Sequence, residues 1–113
     1  MAIREITWIK GAQKDFQNFP KPVQDRMLDA LAVASFGQKA DIAKPMKHLG
    51  SGVMEIALPY RSDAYRVVYA VQIGDVIWVV HAFQKKSTSG IATPKKEIDL
   101  IRGRLKQIRE IEL

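Results

Sequence analysis

Apolar residues recur along this chain with two different spacings, and the spacings divide it into strands and helices. Three short stretches in the middle, residues 52–58, 65–71 and 76–87, are rich in β-branched and aromatic side chains and separated by turn residues. Such a series reads as an antiparallel meander. Gly74-Asp75 predicts a tight second connection, and the first, near residues 59–64, reads as longer and carries Arg61 and Asp63. Residues 3–9, with Ile6 and Trp8, alternate loosely and predict a further strand, which Gly11 breaks.

Helical spacing takes over on either side of the meander. Residues 12–18 form a short helical segment that Pro20 stops. Pro22 suits the first turn of a second helix, where its missing N–H leaves no bond unmade. Val23, Met27, Ala30, Leu31 and Ala34 then follow at helical intervals, and Gly37 fits a C-terminal cap. Residues 38–49 read as a basic loop with Lys39, Lys44, Lys47 and His48 against one acid, Asp41. After a flexible break at Ser87-Thr88-Ser89-Gly90, Thr93 reads as the N-cap and Pro94 as the first residue of a last helix. Ile98, Ile101, Leu105 and Ile108 make its apolar stripe, with Arg102, Arg104, Lys106 and Arg109 on the other faces.

The predicted order is β-α-α-β-β-β-α. It implies an α+β fold, in which a small antiparallel sheet carries an N-terminal helical hairpin on one face and is followed by a C-terminal helix. At 113 residues the expectation is one domain, residues 1–113.

Composition narrows the function classes. A hydrophobic content of 47% fits a globular chain rather than a disordered one. Without cysteine there is neither a disulfide framework nor a thiolate metal site, which suits a reducing cytosol. Arg4, Glu5 and Lys10 interrupt any signal-like apolar run, and the longest apolar stretch falls well short of the ~20 residues a membrane helix needs. The expectation is a cytoplasmic protein with no membrane association. Two histidines far apart in sequence make no convincing metal site, and Gly50-Ser51-Gly52 lacks the strand-to-helix context of a phosphate-binding loop, so no cofactor is expected. The net charge of +6 points to a polyanionic partner. Four lysines and no acid lie between Val76 and Lys96, so the last strand delivers uncompensated positive charge to one place.

This order of elements, together with Val53-Met54-Glu55-Ile56, Tyr65-Arg66-Val67-Val68-Tyr69 and His81-Ala82-Phe83-Gln84-Lys85-Lys86-Ser87, resembles the RelE/HigB toxins of type II toxin–antitoxin systems. It is most similar to the phage-derived HigB-like branch. The resemblance covers nearly the whole chain and implies a ribosome-dependent mRNA endonuclease that inhibits translation. Its implied partners are the ribosome, mRNA and a cognate antitoxin, often a helix-turn-helix protein; a homodimer is compatible with it. By motif position Arg66 matches the arginine that contacts the reacting phosphate, and Lys85 matches the basic residue just after the last strand, with Lys86 beside it able to substitute.

Metal-free RNA cleavage uses the neighbouring 2′-hydroxyl as nucleophile. It needs a base for that hydroxyl, charge to hold the phosphate, and an acid for the departing 5′-oxygen. Where the best-known RelE proteins carry two lysines on the first meander strand, this chain has Glu55 and Ala57, so their base does not carry over. Glu55 reads either as a base or as an exposed strand carboxylate. His81 reads either as an acid or base beside the phosphate clamp or as a half-buried histidine hydrogen-bonded under the last helix, on the strand face of Ile77 and Val79. Arg61, Lys47 and His48 are candidate substrate contacts; Arg61 is equally suited to pair with Asp63, and His48 to be an ordinary surface histidine. Tyr65 and Tyr69 are expected to face away from Arg66, against the helices, and Trp78 to face away from His81. Two rivals stand beside the nuclease: a ParE-like DNA gyrase poison on the same fold, and a non-catalytic basic nucleic-acid-binding module.

Overall fold

The computed structural model describes residues 3–86 and 92–112. Five strands form one sheet in the order β1-β5-β4-β3-β2. They are β1 (Ile6–Trp8), β2 (Ala43–Pro45), β3 (Val53–Tyr60), β4 (Asp63–Ala70) and β5 (Ile77–Lys85). The helices are α1 (Lys10–Phe16), α2 (Lys21–Ser35) and α3 (Lys95–Ile111). This is the α+β architecture expected from the sequence, with the helical hairpin on one face. The break expected at Ser87-Thr88-Ser89-Gly90 lies outside the described residues.

Each face of the sheet buries its own apolar layer. Met54, Ile56, Leu58, Tyr65, Val67, Tyr69, Ile77 and Val79 pack against Ala12, Phe16, Val23, Met27 and Leu31 of α1 and α2. Val53, Val68, Ala70 and Val80 pack against Ile98, Ile101, Leu105 and Ile108 of α3. Those α3 residues recur three or four apart, which places them on one side of a 3.6-residue helix. Fully burying a side chain such as Ile101 or Leu105 contributes roughly 1.5–3 kcal/mol, so α3 is held by this stripe. At the end of α2, Gly37 adopts φ 83°, and the N–H groups of Gly37 and Gln38 donate to the carbonyls of Ala34 and Val33. This paired return closes the helix as its sequence predicts.

Several local expectations change. The loop at 38–49 contains β2, antiparallel to β3, followed by a 3₁₀ turn at Lys47–Leu49. β1 pairs with β5 in parallel, so the sheet is mixed. The connections of the meander are reversed in length. The first is a two-residue turn at Arg61 and Ser62, both at positive φ (50° and 72°), while the second spans residues 71–76. Two positive φ values are the pattern of the hairpin turn that matches strand twist, but neither residue belongs to the Gly, Asn and Asp set that signals it. Gly11 lies inside α1 rather than before it. Pro94, not Thr93, is the N-cap residue of α3, and among the described residues no side chain caps that end.

β5 also contains one residue more than its partner. His81 pairs with Val68, whereas Val79 pairs with Tyr69, so Val80 is an extra residue in the ladder. Such a bulge shifts the in–out alternation by one position. Ile77 and Val79 point to the α1–α2 side, while His81, Phe83 and Lys85 fall in register with Val68, Arg66 and Ala64 on the α3 side.

Candidate functional site

On the α3 side of the sheet, Arg66 and Lys85 share one face. Arg66 stands opposite Phe83 on β5 and opposite Ala57 on β3, and Lys85 stands opposite Ala64. Glu55 is on the same face, one pair along on β3. Arg66 Nη1 donates to Glu55 Oε1 at 3.1 Å and to the hydroxyl of Thr93 at 3.2 Å. The Thr93 hydroxyl in turn donates to the other Glu55 oxygen at 2.8 Å. The three side chains form a closed set, with the Arg66 side chain 9% exposed and that of Glu55 14%. Lys85 Nζ donates to the carbonyl of Ala92 at 2.9 Å, so the residues leading into α3 are tied to both cations.

The set opens onto a groove of about 380 Å³ lined by Ile42, Lys44, Glu55, Ala57, Pro59 and Arg66. β2 supplies the far wall: Lys44 pairs with Glu55 across the β2–β3 ladder and is exposed. Lys86, directly after β5, is exposed as well. The groove thus combines a carboxylate and a guanidinium with the ammonium group of Lys44, and Lys85 shares the sheet face of Arg66. Chemically, a carboxylate can accept a proton while the cations hold a phosphate.

His81 takes another position. It is on the α3 side, but only 2% exposed, and both ring nitrogens are engaged. Arg104 Nη1 lies 3.1 Å from Nδ1 and Glu97 Oε1 lies 2.8 Å from Nε2. A guanidinium only donates, so Nδ1 is the acceptor and Nε2 carries the proton given to Glu97. Burial, opposed by Glu97, lowers the His81 pKa below its ordinary value, and the ring is neutral at pH 7. Phe83 stacks on it at 5.2 Å. This is the hydrogen-bonded histidine under the last helix, not an imidazole open to the groove. The bulge also overturns two expected placements: His81 does not share a face with Ile77 and Val79, and Trp78 packs into the α3 layer rather than away from it.

The remaining candidates are spread out. Arg61 is exposed on the β3–β4 turn, with its guanidinium 5.4 Å from the centre of the Tyr60 ring. Lys47 and His48 are exposed on the 3₁₀ turn, whose Leu49 carbonyl is reached by Arg109 in the last turn of α3. Arg66 is instead held at Thr93, just before the start of that helix. Neither Lys47 nor His48 is among the residues that line the groove, although Lys47 follows Lys44 by three positions. Tyr65 and Tyr69 are buried on the far face, away from Arg66.

Sequence reasoning missed two contributors. The sequence around Lys44 predicts a loop, and only its pairing with Glu55 in β2 places it at the groove. Thr-Pro before an apolar stripe predicts a capping role for Thr93, and nothing local reveals a bond to a residue 38 positions earlier.

No curated protein matches the chain. Among solved structures, its fold is similar to one in the crystal structure of the toxin–antitoxin complex RelBE2 from Mycobacterium tuberculosis. The match has a TM-score of 0.50 and 14% identity over 75% of this chain and 94% of that one. At that identity the likeness is one of fold. Residues 14–106 match the family described as phage-derived protein Gp49-like. With most of its length inside that match, the chain belongs to the phage-derived Gp49-like family.

Proposed function

We propose that this chain is the toxin of a type II toxin–antitoxin module and cuts mRNA on the ribosome by metal-free attack of the 2′-hydroxyl. One observation carries the reading: a carboxylate and a guanidinium, Glu55 and Arg66, meet 3.1 Å apart on the floor of a groove that Lys44 also lines. Glu55 fills the role left open by the missing strand lysines and takes the proton of the 2′-hydroxyl. Arg66 and Lys85 hold the phosphate as negative charge grows on it. Lys85 or Lys86 supplies the proton to the departing 5′-oxygen. His81 is not part of this chemistry, because its nitrogens are committed to Glu97 and Arg104. Lysine is a weak acid at neutral pH, and the ribosome compensates by holding the message in place, so that orientation supplies much of the acceleration. The cognate antitoxin covers the basic groove with acidic residues or a docked helix. The fold likeness to one chain of a toxin–antitoxin complex supports such a partner.

The test is expression in cells with mapping of mRNA ends. New cuts within translated codons should appear with the native chain and fall by ~10²–10³ with Arg66→Ala or Lys85→Ala. DNA damage without mRNA cleavage would instead identify a gyrase poison. Absence of any toxicity would identify a non-catalytic binding module.

A further inference from the structure

The Thr93 hydroxyl is placed where a helix cap is expected, yet it gives its hydrogen bonds to the groove. It donates to Glu55 Oε2 at 2.8 Å and accepts from Arg66 Nη1 at 3.2 Å, while Arg66 Nη1 also reaches Glu55 Oε1 at 3.1 Å. From this closed set we infer that Thr93 is a positioning residue for the cleavage reaction, an inference that rests on the nuclease reading above. A hydroxyl has one hydrogen and two lone pairs, so it serves both partners at once.

What this does to Glu55 follows from its torsions. A glutamate on a strand has three side-chain torsions, and the last, which turns the carboxylate plane, is broad. Arg66 alone fixes one oxygen. Thr93 fixes the other, so the plane is set and each oxygen keeps a further lone pair for a proton. The rotational freedom is lost on folding rather than in each turnover, which is how positioned groups lower a barrier.

The hydroxyl is itself held on a stiff mount. Pro94, at φ −58°, restricts Thr93 to extended backbone. The helix that follows is anchored by Ile98 and Ile101 in the α3 layer. On the other side, Lys85 Nζ grips the Ala92 carbonyl at 2.9 Å. The short Ala92-Thr93 segment therefore links all three groups assigned to the chemistry. A capping threonine would bond the first turn of α3, and among the described residues no side chain does so at that helix end.

The experiment compares Thr93→Val, which keeps the shape and removes the hydroxyl, with Thr93→Ser, which keeps the hydroxyl, in cleavage of mRNA on translating ribosomes by the purified chain. Thr93→Val should lower kcat on the order of tenfold with KM within about twofold, and Thr93→Ser should stay near the native rate. Melting temperatures of both variants are measured alongside. Native-like kcat in Thr93→Val, or equal losses in both variants that track their melting temperatures, would overturn the positioning role alone. A rise in KM at unchanged kcat would do the same, since it would make Thr93 a binding contact. If the native chain leaves ribosome-bound mRNA intact, the nuclease reading fails, and this inference falls with it.

Discussion

Glu55 and Arg66 form their ion pair diagonally. Glu55 stands directly opposite Val68 and Arg66 directly opposite Ala57, and only the length of the two side chains closes the gap to 3.1 Å. The small side chain of Ala57, which lines the same groove, leaves space beside this pair.

With both partners nearly out of water, removing one should cost much more than removing both. Glu55→Ala is expected to destabilise the fold by about 3 kcal/mol, because the guanidinium keeps its burial and loses a carboxylate. Glu55→Ala combined with Arg66→Met should cost less than the sum of the single changes. Urea unfolding of the two single variants and the double variant measures the difference.

His81 sets a pH dependence of stability. Its folded pKa is lowered, first by burial, so between the unfolded value of 6.5 and the lower folded value the unfolded chain binds more protons. Stability should therefore fall as pH drops below about 6.5 and level off once the folded ring protonates. Thermal melts from pH 7.5 to pH 5 should show a shallower decline for His81→Asn than for the native chain, whatever the absolute stability of the variant.

The Arg61-Ser62 turn stores backbone strain, since both residues sit at positive φ without being glycine. Ser62→Gly should stabilise the hairpin by roughly 1 kcal/mol. A higher denaturant midpoint at unchanged slope would record it.

Gly37 occupies the left-handed position after α2, at φ 83°. Gly37→Ala should cost about 1 kcal/mol, as a Cβ is disfavoured there. The same unfolding assay reads this loss, with the sign opposite to that of the turn variant.

The sequence announced those parts of the fold that depend on repeated local spacing. The stripe of Ile98, Ile101, Leu105 and Ile108, and that of Val23, Met27 and Leu31, name the buried side of each helix because one face of a helix recurs every three or four residues. Pairing across the sheet left no such mark. β2 is three residues long and polar at Lys44, too short to display a period, and the loose alternation that marks β1 does not reveal that it joins β5 in parallel. The hairpin turn at Arg61 and Ser62 is fixed by the strands it joins, not by turn residues. Arg66 and Lys85 could be picked out by motif, but their companions Glu55 and Thr93 are brought together only by the fold, from positions 38 residues apart.

The bulge at Val80 has a consequence for how this strand can vary among relatives. Counting from the end pinned by β1, lysine reaches the groove at an odd position only because one residue intervenes without a cross-strand mate. A relative that lacks that residue must move its groove-facing cation to the neighbouring site in the chain, or aim it into the layer beneath α1 and α2. Alignments of such chains should therefore show the gap near Val80 and the lysine offset changing together, so that the motif drifts by one while the groove stays charged.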